Sequence, residues 1–258
     1  MDVVEGVDRL TPSLGRLFVA IGVFDGIHVG HQYLLRELLA AAAARGARPT
    51  VITFDHHPDE ILVGNAPPLL CDPAERLALL EAAGVDVIVI QHFDVALRQT
   101  PYDRFIRAIA DRVQLAGFLM TPDSAFGFER RGTPETVAAL GRELGYDVVT
   151  VPPFILDGRP VSSSEIRSAI ATGDLVAAAR LLGRPYAVVG LTSRASRDPV
   201  LTFEMPAALP PPGLYLTRIH DVDEDVDHGT HHAHVQSTGI RLDGIWIGGP
   251  RLRLTFEA

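Results

Sequence analysis

Two histidines stand where a predicted strand turns into a predicted helix. His28 and His31 are three residues apart, in a glycine-punctuated segment that begins at Gly22. An apolar run precedes this segment, and an amphipathic helix pattern that includes Leu34 and Leu38 follows it. Free N–H groups at a helix N-terminus attract phosphate, and histidines there can stabilise charge that builds on a phosphate group during its transfer. The segment therefore predicts a nucleotide phosphate site with His28 and His31 as catalytic residues.

Further residues of the same segment are candidates for ATP binding. Gly30 has no side chain, which lets a nucleotide approach the backbone closely. A polar helix entry without a ligand is the alternative interpretation, but the order of strand, glycine turn and helix favours a nucleotide site. The candidates in this turn are Gly22, Phe24, Asp25 and Gly30.

A second candidate anion site opens a later predicted helix. Ser162, Ser163 and Ser164 stand shortly before Arg167, and Ser162 and Glu165 have the spacing of a capping box. Serine hydroxyls, backbone N–H groups and an arginine together suit a polyphosphate tail, so we predict Arg167 as a catalytic residue and the three serines as ATP-binding residues. Helix capping alone would also explain Ser162 and Glu165, and for this segment by itself both interpretations stay open.

The charged residues restrict the chemistry. The chain has no lysine, so all 23 basic residues are arginines, and the net charge is -9. A P-loop lysine, a Schiff base and a lysine general base are therefore excluded. The negative charge argues against a nucleic-acid surface, because proteins that bind nucleic acids carry basic groups to neutralise phosphates.

The remaining composition indicates a protein of the cytoplasm. Cys71 is the single cysteine and cannot form an internal disulfide, so we expect it to be a small packing residue. The first ten residues lack the pattern of a secretion signal. No apolar run approaches the ~20 residues of a membrane-spanning helix, and we expect no membrane association.

The order of predicted elements indicates an α/β protein with a parallel sheet. Capping residue–proline pairs such as Thr133–Pro134 mark several helix starts. Five strand candidates alternate with these helices, namely 17–24, 50–54, 85–90, 117–120 and 147–151. This alternation predicts a Rossmann-like, doubly wound fold.

The last quarter of the chain has a different pattern. Two helices are predicted over 163–172 and 175–182, and Gly183 to Pro185 then interrupt the helical pattern. Short apolar stretches with glycine- and proline-rich connections follow, which is typical of a small β-barrel-like unit. We therefore expect two domains, residues 1–185 and 186–258.

Several segments together carry a resemblance to the bacterial bifunctional riboflavin kinase/FAD synthetase family. Gly22–His31 resembles its G-N-F-D-G-x-H-x-G-H motif, and Val161–Arg167 is similar to its I-S-S-[ST]-x-I-R motif. Thr53–Pro58 resembles T-F-x-P-H-P, and Asp123–Arg130 resembles D-F-x-F-G-x-x-R. Leu181–Tyr186 matches the family's junction between its adenylyltransferase and kinase modules.

The resemblance implies transfer of the adenylyl group of ATP to FMN, which gives FAD and pyrophosphate, with Mg²⁺ on the ATP phosphates. By position, His28 and His31 would polarise the nucleotide phosphates, while Ser164 and Arg167 would bind the departing pyrophosphate. The flavin-binding residues it implies are Thr53, Phe54, His57, Pro58, Asp123, Phe126 and Arg130. We expect ATP and FMN as partners and no residue that holds a resident metal.

The chain also departs from the family's motifs. Val23 replaces an asparagine of the first motif, and His56 replaces a proline of the T-F motif. Residues 200–209 lack the Thr-Ala-Asn tripeptide of a riboflavin kinase, so we expect a degenerate kinase module without kinase activity. Two other functions stay open at this point: a nucleotidyltransferase for another phosphorylated acceptor, and a flavin- or nucleotide-binding regulator without catalysis.

An acidic and histidine-rich cluster follows in residues 221–234. Val226 occupies a position where a calcium-binding EF-hand loop needs glycine, and His232 occupies one where it needs glutamate. A histidine metal site is one interpretation of the cluster. We favour an exposed hairpin tip, because charge runs between strands are usually solvated.

Overall fold

The computed structural model describes residues 1–192, 199–237, 239–243 and 250–257. The chain forms two compact units. The sheet unit comprises Met1–Phe24, Gly30–Pro67 and Leu77–Pro160. The barrel unit comprises Asp25–Val29, Pro68–Arg76 and Val161–Ala258. Two short segments from the first third of the chain thus belong to the barrel unit, a division that the sequence did not predict.

The sheet unit is built on six parallel strands. They are β1 (Asp2–Glu5), β2 (Arg16–Ile21), β3 (Arg48–Phe54), β4 (Val87–Gln91), β5 (Gln114–Met120) and β6 (Asp147–Thr150). Their order is β1-β4-β3-β2-β5-β6, so the chain reverses direction across the sheet between β2 and β5. This order confirms the predicted doubly wound fold, and ligands of such sheets bind outside the carboxyl ends of the strands at the reversal.

Helices connect these strands. They are α1 (Val29–Ala43), α2 (Asp59–Leu62), α3 (Pro73–Ala82), α4 (Val95–Arg98), α5 (Tyr102–Ala110) and α6 (Pro134–Leu144). A two-stranded hairpin of β7 (Ile155–Leu156) and β8 (Arg159–Pro160) follows β6. The predicted start of α6 is confirmed, because Thr133 is its N-cap, Thr133 and Thr136 form a capping box, and Pro134 is its first residue.

The core of the sheet unit is apolar on both faces of the central strands. Val19, Ile52 and Phe118 are at most 1% exposed and belong to one hydrophobic cluster on one face. Phe18 and Val51, which point to the other face, are fully buried. Parallel strands that are covered by helices on both faces need such continuous apolar runs. The core therefore fixes the positions at which β2, β3 and β5 end.

The barrel unit combines two helices with an antiparallel sheet. Its helices are α7 (Ser163–Ala171) and α8 (Leu175–Leu182). Its strands are β9 (Ala187–Leu191), β10 (Val200–Leu201), β11 (Gly213–Asp221), β12 (Val226–Gln236), β13 (Gly239–Leu242) and β14 (Arg251–Phe256). The order is β10-β13-β12-β11-β14-β9, and a bridge between Leu191 and Thr202 nearly closes the sheet into a barrel.

Residues 161–185 belong to the barrel unit, although the sequence assigned them to the first domain. Their apolar side chains share one core with the strands, since Ile166 and Leu182 cluster with Ile219 and Leu254. The predicted boundary after Pro185, which separates two sequence modules, stays a prediction. The two compact units do not coincide with these modules, because residues 161–185 lie in the barrel unit.

The acidic and histidine-rich cluster forms the β11–β12 hairpin. The tip consists of residues 222–225, which are exposed as predicted. His228, His231, His232 and His234 do not lie at this tip but along β12. No helix in the described part of the chain has the length and apolar character needed to cross a membrane.

Candidate active site

The glycine-punctuated segment forms the predicted strand, turn and helix. It leaves β2 after Ile21 and enters α1 at Val29. Phe24 and Ile27 have positive φ angles of 53° and 38°, and Gly26 has a φ of 80°. A Cβ on Gly26 would lie 2.9 Å from that of Leu70, so only glycine fits this position. The turn is therefore strongly constrained by its own backbone and by Leu70.

A cavity of about 530 Å³ lies in the sheet unit at the carboxyl ends of β2 and β3. Its lining includes five phenylalanines: Phe54, Phe93, Phe105, Phe126 and Phe128. The rings of Phe54 and Phe93 pack edge to face, with centroids 5.3 Å apart. An apolar cavity with aromatic walls suits a planar aromatic ligand.

Most of the residues predicted to bind flavin line this cavity. They are Phe54, His57, Pro58, Phe126 and Arg130, and Gly22 and Val23 from the glycine-punctuated segment join them. His57 accepts a hydrogen bond at Nδ1 from the backbone N–H of Asp59 at 3.2 Å. This bond leaves Nε2 as the ring nitrogen that carries the proton of a neutral His57.

Two predicted flavin-binding residues lie elsewhere. Thr53 is fully buried and donates a hydrogen bond from Oγ1 to the carbonyl of Val23 at 3.0 Å, so it supports the turn and does not line the cavity. Asp123 lines a neighbouring cavity of about 250 Å³, together with Phe126 and Arg130. Its carboxylate accepts a hydrogen bond from Thr121 at 2.7 Å.

Several cavity residues were missed by the sequence reasoning. Phe93 lies two residues after the end of β4, and Leu97 and Phe105 come from the helices after it. Strand β4 pairs with β3, so the residues that follow both strands meet at one edge of the sheet. Applying that rule to the predicted strand 85–90 would have found Phe93.

Asp25 is the centre of a buried cluster in the barrel unit. The residue is 3% exposed, and its carboxylate accepts hydrogen bonds from the backbone N–H of Leu70 at 3.0 Å and from Arg167 Nη2 at 2.5 Å. Arg167 Nε also donates to the carbonyl of Pro68 at 2.7 Å. Arg167 is thus oriented by two protein groups, the carboxylate of Asp25 and the carbonyl of Pro68.

The predicted serines have different surroundings. Ser162 caps α7, because its hydroxyl accepts the backbone N–H of Glu165 at 3.3 Å. Ser163 donates a hydrogen bond to the backbone carbonyl of Asp25 at 3.2 Å, and Ser164 is exposed. Ser162 and Ser164 are thus exposed, while Ser163 is half-buried.

His28 lies in the same cluster and is only 4% exposed. Burial, followed by the positive charges of Arg184 and Arg167, lowers the pKa of His28 to about 4. Arg184 holds the turn before His28, since its guanidinium donates to the carbonyls of Gly26 at 2.8 Å and Ile27 at 3.4 Å. His28 is therefore a neutral imidazole at pH 7. Arg184 is a further candidate site residue that was not singled out from the sequence.

The other motif residues lie in the sheet unit. His31 is in the first turn of α1, and its ring is 5.1 Å from that of Phe24, centroid to centroid. Phe24 is 2% exposed and Gly30 is half-buried. These two residues thus shape the helix entry.

Cys71 is buried in the barrel unit, which confirms its role as a packing residue. Its sulfur accepts a hydrogen bond from the backbone N–H of Gly26 at 3.2 Å. Burial and the nearby negative charges of Asp25 and Glu75 raise the pKa of Cys71 to about 12. The side chain is thus a thiol at neutral pH and no nucleophile.

The doubly wound sheet, the cavity at its strand ends and the glycine turn into α1 define a Rossmann-like nucleotide-binding protein. Residues 11–165 match the model of the FAD synthetase family. The chain belongs to this family.

Two curated relatives are named bifunctional riboflavin kinase/FMN adenylyltransferase. The one from Haemophilus influenzae is 32% identical over 192 residues, which cover 74% of this chain and 62% of that relative. The one from Pseudomonas fluorescens is 29% identical over 248 residues, which cover 93% of this chain and 78% of that relative. The chain thus spans less than two-thirds of the length of the Haemophilus relative.

A solved structure from Streptococcus pneumoniae, described as a macrolide-efflux protein, has a similar fold. Its TM-score is 0.80 at 22% identity, and the match covers 99% of this chain and 88% of that one. At this identity the likeness concerns the fold alone.

Proposed function

We propose that this chain transfers the adenylyl group of ATP to FMN, with FAD and pyrophosphate as products. Membership of the FAD synthetase family over residues 11–165 carries the proposal. The names of the relatives support FMN as the acceptor. The phenylalanine-lined cavity supports it independently, because the isoalloxazine ring of FMN is planar and aromatic.

In this proposal the sheet-unit cavity binds the flavin. Phe54 and Phe126 contact the ring system, while His57 and Arg130 supply polar groups in an otherwise apolar lining. Thr53 holds the turn at Val23 through its hydrogen bond, and Asp123 contacts the flavin from the neighbouring cavity. The aromatic walls of the cavity favour a flavin over an acceptor without an aromatic ring system.

In this proposal the residues of the two motifs bind the phosphates of ATP and stabilise their charge. A phosphate oxygen of FMN attacks the α-phosphorus of ATP, and the bond to the bridging oxygen breaks as pyrophosphate leaves. Such an in-line transfer needs positioning and charge stabilisation but no covalent intermediate. Neutral His28 donates a hydrogen bond, His31 acts beside the backbone N–H groups of α1, and Arg167 and Ser164 bind the pyrophosphate. Gly22, Phe24 and Gly30 shape the nucleotide-binding turn.

Mg²⁺ enters as part of the MgATP substrate. Asp25 is the one carboxylate of the glycine-punctuated segment, and its oxygens are occupied by Arg167 and the N–H of Leu70. It therefore does not fit a resident metal and instead orients Arg167. We place the reaction in the cytoplasm, without nucleic acid or membrane as partner.

Riboflavin kinase activity is absent in this proposal. Residues 200–209 lack Thr-Ala-Asn, and part of this segment is used within the barrel unit. The carbonyl of Pro206 accepts a hydrogen bond from Leu69 N–H at 2.7 Å, and Ala208 N–H donates to the carbonyl of Leu69 at 2.8 Å. A segment paired in this way has fewer backbone groups available for a phosphate.

Purified protein with MgATP is expected to convert FMN to FAD and to leave riboflavin unchanged. The two flavins are incubated in parallel, and the products are separated by chromatography. FMN made from riboflavin would contradict the loss of kinase activity. Flavin binding without any product in either reaction would overturn the proposed transferase and support a regulator.

Replacing Arg167 by lysine is expected to raise KM for ATP on the order of tenfold and to leave KM for FMN unchanged, because a charge-assisted hydrogen bond to the polyphosphate is lost. Steady-state kinetics with each substrate varied in turn measures both constants. Arg253→Lys is the matched control, since Arg253 pairs with Glu75 at 2.6 Å and has no assigned role in ATP binding. Equal changes of both KM values in the Arg167 variant would remove Arg167 from the ATP site.

A further inference from the structure

Three potential metal ligands meet in the sheet unit beside the flavin cavity, and none of them lines it. They are Asp55, His56 and His92, and one ligand atom from each lies within 4.8 Å of the other two. Within the described part of the chain, no other group of three histidine, cysteine or acidic side chains is this close. Asp55 and His56 follow β3, and His92 follows β4.

The backbone brings these ligands together. Strands β3 and β4 are parallel neighbours with Phe54 opposite Gln91, and Asp55 N–H donates to the carbonyl of Gln91 at 3.3 Å. The two loops that carry the ligands therefore leave the sheet side by side. Their proximity follows from strand register and does not depend on long flexible side chains.

The carboxylate of Asp55 is oriented by the backbone. Its Oδ1 accepts the N–H groups of His56 at 2.8 Å and Phe93 at 3.2 Å. Its Oδ2 lies 2.5 Å from Nδ1 of His92, and Nδ1 of His56 lies 3.3 Å from Oδ1. Carboxylates that bind metals are commonly held by such outer hydrogen bonds.

The charge and exposure of the group suit a cation. Asp55 supplies an acidic side chain that is 31% exposed. The side chains of His56 and His92 are 49% and 65% exposed, so an ion and a water molecule can reach them.

We propose that Asp55, His56 and His92 form a binding site for a divalent transition metal ion of the zinc class. Two imidazole nitrogens and one carboxylate oxygen are ligands that zinc prefers, and water takes the fourth position in such three-ligand sites. Zinc bonds of about 2.0–2.1 Å in a tetrahedron set the ligand atoms roughly 3.3 Å apart. The ion replaces the hydrogen bond between Asp55 and His92, and this pair then widens by a small side-chain rotation.

The site also has a consequence for the neighbouring cavity. Phe54 precedes Asp55 and Phe93 follows His92, and both rings line the cavity of the sheet unit. A metal ion would cross-link the two loops that carry these rings. The proposed ion is distinct from the Mg²⁺ of the ATP substrate and has no part in the transfer step.

Titration of tag-free, chelator-treated protein with Co²⁺ tests this proposal. We expect one equivalent to bind with the intense visible bands of a four-coordinate cobalt site, and Zn²⁺ to abolish these bands by competition. His92→Gln is expected to raise the apparent Kd for Co²⁺ by at least about tenfold. Loss of a side chain that hydrogen-bonds to a metal ligand already weakens metal binding by about this factor, and loss of a direct ligand weakens it at least as much. His56→Gln is the second variant, because its side chain is exposed and its replacement leaves the Asp55–His92 contact intact.

His232→Gln is the matched control, since His232 is exposed on β12, in the most histidine-rich strand of the chain. If His232→Gln weakens Co²⁺ binding while His92→Gln and His56→Gln leave it unchanged, the metal site lies on β12 and the proposal is overturned. Absence of binding, or the weak spectrum of six-coordinate cobalt, would show that Asp55 and His92 form an ion pair only. Thermal unfolding supplies an independent readout, because Zn²⁺ should raise Tm of the native protein and not of the His92 variant.

Discussion

Replacing Asp25 by alanine is expected to lower the free energy of unfolding by about 3–5 kcal/mol, the cost of removing one partner of a buried ion pair. The Asp25 side chain is 3% exposed and that of Arg167 is 14% exposed. The substitution leaves the guanidinium without its carboxylate and the N–H of Leu70 without its acceptor. Urea unfolding followed by circular dichroism measures the change.

Asp147→Ala is the matched control for this loss. The carboxylate of Asp147 also pairs with an arginine, Arg45, at 3.0 Å, but the Asp147 side chain is 66% exposed. Water screens such pairs, and we expect a loss of less than about 1 kcal/mol. Equal losses in free energy of unfolding in the two variants would show that the buried Asp25–Arg167 pair stabilises the fold no more than an exposed ion pair does.

The role of Asp25 illustrates what the sequence could not provide. Two different motifs predicted Asp25 and Arg167 as separate residues of the ATP site. In the structure the two side chains bind each other, although they are 142 positions apart in the chain. Arg184 likewise reaches the carbonyl of Gly26 over 158 positions. Such contacts depend on how distant segments fold together, and no local pattern encodes them.

Elements with strong local signals were predicted well. The predicted bounds of α8 agree with the structure, because the Asp174 side chain caps the helix by accepting the N–H of Ala177 and Gly183 ends it in a left-handed conformation. The glycine-punctuated turn was predicted for the same reason. Local conformational preferences alone are enough to mark these boundaries.

Several strands without such signals were missed, among them β12 and β1. Strand β12 carries four histidines, and only Ala233 and Val235 are buried, so its sequence lacks the alternation typical of a strand. Strand β1 has four residues, none of them buried, and pairs with β4 in the middle of the chain. In both cases a partner strand, and not a local pattern, determines the conformation.

The cavity was predicted in part for a similar reason. Phe54 and His57 belong to a motif that follows β3, and Phe126 and Arg130 belong to another loop with a recognisable pattern. Phe93 belongs to no motif and is brought to the cavity by the pairing of β4 with β3. Sequence patterns therefore identified the cavity, while the sheet order was needed to complete its wall.

The protonation state of His28 changes the chemistry expected from the sequence. Stabilisation of phosphate charge by a histidine can come from a positive imidazolium or from the N–H of a neutral ring. Burial, Arg184 and Arg167 lower the pKa of His28 to about 4, so the neutral ring is present at pH 7. The nearby positive charge is instead supplied by the two arginines.

The His28→Gln variant is expected to lose less stability than the native protein when the pH falls from 7 to 5. The pKa of His28 is about 4 in the folded protein against 6.5 for a free histidine, so between these values the unfolded chain binds a proton that the folded chain does not. Stability from this residue is therefore lost as the pH falls, by about 2 kcal/mol between pH 7 and 5. Urea unfolding of both proteins at the two pH values measures the difference.

His92→Gln, examined in the presence of a chelator, is the control of opposite sign. The hydrogen bond that His92 donates to the carboxylate of Asp55 raises the pKa of His92, so its contribution to stability is present at low pH and is lost as the pH rises. The difference in free energy of unfolding between the native protein and this variant should therefore grow as the pH falls. The corresponding difference between the native protein and His28→Gln should shrink. A constant difference between native protein and His28→Gln would mean that His28 titrates normally in the folded state. Its imidazolium, and not its neutral N–H, would then be available below pH 6.5 to stabilise the transferred phosphate.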